Sequence, residues 1–174
     1  MNINFFVNEK TKVNGGYKFK SLDCELLKSE WIEVKECYIK AISRMRNEIK
    51  IRLRINKTIS EGKVNFKLLK RERGGWHPFL YAMTVDACDF LKHSQKYLIP
   101  RLIYSYLKSY TNVLHPCPYE ANTDAYLSNW TLPEQNIISR FPVDYGEYAL
   151  HTTWYIHNTM IGRINGSLEY FKNW

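Results

Sequence analysis

The sequence predicts a mainly β fold: a two-sheet β-sandwich with a short helical insertion around residues 86–110. Three observations predict it. Apolar and polar residues alternate with a period of two through most of the chain, as where Ile49, Ile51, Leu53 and Ile55 interleave with Lys50, Arg52 and Arg54. In one region the period becomes helical: Ile99, Leu102, Ile103, Tyr106, Leu107 and Tyr110 fall on a single stripe of about three turns. Turn signals cut the rest into about seven or eight short strands, the pattern of a sandwich.

Taken in order, residues 1–16 form a polar lead-in ending at Gly15-Gly16, and residues 17–174 form one domain. "YKFKSLDCELL" and "WIEVKECYIKAI" read as strands carrying Cys24 and Cys37 at comparable positions. "NEIKIRLRIN" is the clearest strand. A long hairpin follows, with Val64, Phe66 and Leu68 alternating on the way in, a turn at Gly74-Gly75, and Phe79, Tyr81, Met83 and Val85 alternating on the way out. "ACDFLKHS" is a short helical piece. The apolar stripe behind it begins near Pro100, which a first helical turn tolerates because its missing N–H has no intrahelical acceptor there. "HPCPY" ends the helix. "PVDYGEYALHTTWYIHN" and "MIGRINGSLEYF" make a terminal hairpin turning near Asn158-Thr159.

Composition bounds the function. The chain of 174 residues is 45% hydrophobic and 15% aromatic, enough for a sizeable core, and it holds no low-complexity tract. No apolar run reaches the ~18 residues of a membrane-spanning helix. The net charge of +8 invites an anionic partner, yet much of it alternates along residues 50–54, the signature of a solvated strand face. The dispersed charge and the lack of an aromatic platform motif argue against nucleic acid.

Four cysteines, Cys24, Cys37, Cys88 and Cys117, allow three connectivities, and sequence alone does not choose among them. Neighbour pairing, Cys24 with Cys37 and Cys88 with Cys117, closes two short loops worth on the order of 3 kcal/mol each. A zinc site from Cys88, His93, His115 and Cys117 has the right ligand types but poor spacing, and a reactive thiol lacks a cationic nest. Three N-x-[ST] triplets start at Asn56, Asn129 and Asn165. Asn56 falls at a strand end, Asn129 in a loop and Asn165 in a strand. Bridges and glycan acceptors together predict the secretory route and an extracellular location. The "NINFFVNEK" start does not read as a secretory leader, so the leader is expected to be missing from this form of the chain.

Four stretches run in the order found in a large insect family of unknown function: "KECYIK", "GGWHPFLYAMTVDACDFLK", "NVLHPCPY" and "FPVDYGEYAL". That family includes chemosensory B-type proteins, and the chain resembles it over residues 17 to 172. The order Cys88-Asp89-Phe90-Leu91, then Cys117-Pro118, then Pro142 with Gly146 and Tyr148, is also similar to that of the lipid-recognition (ML) superfamily, closest to the ganglioside activator. The resemblance implies an immunoglobulin-like sandwich whose sheets splay apart to hold a lipid.

Eight Phe, thirteen Tyr and five Trp can line such a space, with Phe79, Phe90, Leu91, Ile103, Leu107, Phe141 and Trp154 as the first candidates and the helical stripe as an edge cap. A close-packed core is the alternative for each. No G-x-S-x-G, P-loop or H-E-x-x-H motif is present, and His151 and His157 are expected on one strand face, far apart. Asp86 and Asp89 belong to a helix start, where acids meet the dipole. The expected function is therefore a secreted, non-catalytic binder of lipids or hydrophobic semiochemicals without a cofactor or a metal. The alternative is an extracellular module, without a ligand cavity, that modulates a chemosensory receptor or channel ectodomain. The basic excess adds an anionic membrane surface as a further partner.

Overall fold

The computed structural model describes residues 15–131 and 143–172. Its strands are β1 (Gly15–Leu26), β2 (Ile32–Ser43), β3 (Arg46–Ile55), β4 (Lys63–Glu72), β5 (Gly75–Asp86), β6 (Thr123–Trp130), β7 (Gly146–Ile156) and β8 (Thr159–Lys172). Between β5 and β6 lie α1 (Ala87–Lys92), a 3-10 turn at Ser94–Lys96 and α2 (Leu98–Leu107). One antiparallel sheet has the order β1-β8-β7-β4-β5 and the other β2-β3-β6. The two-sheet sandwich with a helical excursion is the expected architecture.

Two hairpins turn one residue earlier than the sequence suggests. Arg73 and Gly74 both have positive φ, as do His157 and Asn158, so each two-residue loop takes the mirror-image turn that suits the strand twist. Gly75 is thereby drawn into the ladder opposite Glu72. Likewise Gly15 and Gly16, expected in the lead-in, pair with Lys172 and Phe171 of β8. Glycine carries no side-chain period, so pattern alone misses such strand ends.

The inner faces follow from register. Val64, Phe66 and Leu68 of β4 lie opposite Trp154, Thr152 and Leu150 of β7, and Val64 and Phe66 lie opposite Val85 and Met83 of β5. Ile55, Ile59, Ala125, Ile156 and Ile161 form one buried cluster, and Val64, Val85 and Phe90 form a second. Trp154 packs against both, and its Nε1–H donates to Thr152 Oγ1 at 2.8 Å.

The sheets come closest where β1, an edge strand of the larger sheet, meets β2 and β3. The buried Asn47 of β3 makes this corner. Its Oδ1 accepts from the Phe19 N–H at 2.9 Å and its Nδ2 donates to the Phe19 C=O at 2.9 Å. An edge strand presents unpaired backbone groups, and here one side-chain amide pairs with them as a neighbouring strand would. The Cys24–Cys37 bridge joins β1 to β2 at the same corner, with Cα atoms 6.3 Å apart.

Asn47→Ala is expected to lower stability by about 2–4 kcal/mol, because it leaves a buried N–H and a buried C=O unpaired. Asn47→Asp, which sets a buried carboxylate oxygen against the Phe19 C=O, is expected to cost at least as much at neutral pH. Urea unfolding of the disulfide-bonded protein checks the order. In β8, a Cβ on Gly162 would run into the Glu25 carbonyl and come within 2.9 Å of the Leu26 Cα, whereas one on Gly166 meets nothing closer than 3.5 Å. Gly162→Ala is therefore expected to cost about 1–3 kcal/mol by overpacking against rigid backbone, with Gly166→Ala measurably milder in the same assay.

Candidate functional site

The side of the sandwich opposite the β1 corner is spanned by the helical excursion. It leaves β5 through Asp86, whose carboxylate accepts from the Asp89 N–H at 2.9 Å and caps α1. This is the helix-start role expected for the acidic pair. After α2 the chain reaches β6, at the edge of the smaller sheet. Thr111 bridges Leu127, the Ser128 N–H donates to the Tyr110 C=O, and Asn112 Nδ2 donates to the Asp124 C=O at 2.7 Å. The excursion therefore ties the free edge of one sheet to the free edge of the other. The Cys88–Cys117 bridge, Cα to Cα 5.6 Å, joins the start of α1 to the segment beyond α2. Ile59 pairs with Tyr119 to bind that segment to the β3–β4 connection. With their sulfurs joined, Cys88 and Cys117 are not thiolates, which removes the donors the zinc alternative needs.

Beneath this strap, Phe90 is buried, with its ring 6.2 Å from that of Tyr97 and 6.1 Å from that of Tyr104. Phe66, Met83, Leu91, Tyr97, Tyr104 and Trp154 are part-buried around it. The candidate lining residues Phe90, Leu91 and Trp154 are thus brought together. Ile103 and Leu107 are half-buried on α2. Phe79 stands apart, half-buried beyond a bulge in β5, with its ring 5.3 Å from Tyr148. Phe141 lies outside the described residues.

At the Phe79 end a group of tyrosines gathers that periodicity did not single out. Tyr17 stacks on Tyr170 at 4.5 Å, and Tyr145 lies 4.7 Å from Tyr170. Burial, then the neighbouring Tyr170, Tyr106, Tyr148 and Tyr145, pushes the Tyr17 phenol far above its ordinary value. Tyr106 belongs to α2, so the strap reaches this group too. Burial raises Tyr148 and Tyr170 in the same direction. The available signal was the alternation of Tyr17 and Phe19 with Lys18 and Lys20. At the other end of the strap, burial pushes Tyr119 up to about 12, and its hydroxyl donates to the Val113 C=O at 2.6 Å.

The positive strand face is balanced. Glu36 holds Lys50 and Arg52 at 3.6 and 3.0 Å, and Asp124 holds Arg52 and Arg54 at 3.5 and 3.1 Å. This is a solvated lattice of ion pairs, each worth little in stability. His157 occupies the β7–β8 turn beside Glu61 rather than the strand face shared with His151, because the two-residue loop claims it. Asn129 is not in a loop as expected. It is exposed within β6 in the left-handed region, where the β3–β6 register shifts. Asn56 follows β3 and donates to the Ser29 C=O at 2.8 Å. Asn165 is half-buried in β8, and its Oδ1 accepts from the Thr152 N–H at 3.2 Å.

Cys117→Ser is expected to release the strap. Opening a loop of 29 residues costs on the order of 3–4 kcal/mol, so both the melting temperature and the yield from a secreting host should fall. Unchanged values for both would show that the strap is held without the bridge.

The model of a family described as a protein of unknown function (DUF1091) matches residues 64–150. That span takes in the β4–β5 hairpin, the whole helical strap, the Cys88–Cys117 bridge and β6. No curated protein matches.

Proposed function

Because the chain belongs to this family of proteins of unknown function, we propose a function from its own geometry: it is a secreted, non-catalytic binding protein for lipids or other hydrophobic small molecules, held between the two sheets under the helical strap. One observation carries the reading. The large side chains packed against the buried Val64, Val85 and Phe90, namely Phe66, Met83, Tyr97, Tyr104 and Trp154, stay only part-buried. A sandwich core packed like an organic crystal hides such side chains. In this reading the apolar surface that stays accessible faces the space between the layers and receives the guest. The resemblance to the lipid-recognition superfamily points the same way.

Two disulfides are compatible with an extracellular protein. The exposed Asn129, with Thr131 two positions on, is the best placed of the glycan acceptors. The resemblance to chemosensory B-type proteins makes a hydrophobic semiochemical one class of guest. A binder of this kind solubilises or presents its guest unchanged.

A second reading rests on Tyr38, Ile42 and Met45, which are 42%, 45% and 51% exposed on β2 and the β2–β3 turn. They would suit an extracellular module that docks on a receptor or channel ectodomain.

Native mass spectrometry of protein secreted from a eukaryotic host, before and after reduction and solvent extraction, separates the two readings. The expected result is a deficit of about four hydrogens against the reduced chain, for two bridges, together with a hydrophobic adduct that extraction removes. A protein that carries no adduct and takes up no fluorescent fatty-acid analogue would favour the module.

A further inference from the structure

Two polar side-chain atoms among the described residues are buried without a hydrogen-bond partner: the Tyr17 hydroxyl and the Trp130 indole nitrogen. They come from opposite sheets, Tyr17 from β1 and Trp130 from β6. Both flank Phe19, which lies two positions from Tyr17 on the same face of β1, with its ring 5.3 Å from that of Trp130. An indole N–H can only donate, and a phenol can donate or accept. Buried polar atoms are almost always paired, and leaving one unpaired costs stability. Two such atoms, from facing sheets and both beside Phe19, have the character of a polar anchor.

Resting on the hydrophobic-guest function above, we propose that Tyr17 and Trp130 hold a neutral acceptor oxygen of the guest, an ester or ketone carbonyl, buried between the sheets beside Phe19. The guest is then an uncharged oxygenated hydrocarbon rather than a plain hydrocarbon or a fatty-acid anion. A plain hydrocarbon leaves both donors unpaired. A carboxylate needs a counter-charge at this depth. The groups that bear electrostatically on Tyr17 are the tyrosines Tyr170, Tyr106, Tyr148 and Tyr145. Lys70, whose ammonium lies 5.9 Å from the Phe79 ring and 6.0 Å from the Tyr148 ring, already holds Glu72 at 3.2 Å and Asp144 at 3.6 Å.

The test uses the full-length, disulfide-bonded, delipidated protein and three probes of similar length, tridecane, methyl laurate and laurate, each displacing a fluorescent ester. Methyl laurate is expected to bind on the order of tenfold more tightly than tridecane, the effect of one well-made hydrogen bond. Tyr17→Phe, which keeps the stack on Tyr170, and Trp130→Phe should each bring that ratio to within about twofold. Tyr17→Phe should also raise the melting temperature of the unliganded protein, because it removes an unpaired hydroxyl. Equal binding of ester and hydrocarbon by the unmodified protein overturns the proposal without recourse to any variant, and leaves the binding function standing. Tighter binding of laurate than of its ester, or a ratio that survives both substitutions, also overturns it and assigns the two atoms to bound water alone. Failure of all three probes removes the binding function and this inference together.

Discussion

Everything in this fold turns on the corner where β1 meets the smaller sheet. β1 is an edge strand, and the backbone groups on its free side have no strand to pair with. Asn47 supplies that pairing for Phe19 from a side chain, and Cys24–Cys37 closes the same junction covalently. Lys18 adds a contact from its Nζ to the Arg44 C=O at 3.0 Å. Two sheets that are anchored at one long edge need not be pressed together along their whole width. The corner therefore fixes one side of the layer packing.

The helical strap is the counterpart of that corner. It crosses the open side, docks α1 against β4 and β5, and adds residues 110–112 to the free edge of β6. It thereby covers the second exposed edge and packs Phe90, Tyr97 and Tyr104 with Val64 and Val85. Its anchorage is chemical as well as geometric: a capped first turn, a bridge from Cys88 to Cys117 and the Ile59–Tyr119 pairing. One side is closed by a strand junction and the other by a tethered helix.

Charge is arranged to keep out of this interior. The cations of β3 point outward and are matched by Glu36 and Asp124, so the +8 net charge creates no concentrated patch on that face. Among the described residues the buried polar side chains, Asn47, Thr152 and Ser167, are neutral, and burial raises the phenols of Tyr17, Tyr119 and Tyr170.

Strand alternation at Ile49 to Ile55, the helical stripe around Leu102 and Tyr106, the acidic start of α1 and the hairpins of β4–β5 and β7–β8 were all legible in the chain, because each depends on neighbours a few residues apart. So was the pairing of cysteines as neighbours, though only as one of three connectivities. The turn positions slipped by one residue, and Asn129 passed for a loop residue, because a bulge or a mirror-image turn is set by the partner strand. The candidate lining residues divided for the same reason: Phe90, Leu91 and Trp154 meet under the strap, whereas Phe79 lies beyond the bulge with Tyr148. Sequence by itself determined the layers, the faces and the thiol chemistry, which are local properties. Only tertiary structure decided that Asn47 takes the place of a strand for Phe19, that Trp130 of one sheet meets Phe19 of the other, and that the strap joins two free edges. Each of those depends on residues far apart in the chain being brought together across a space, and no period in the sequence encodes the width of that space.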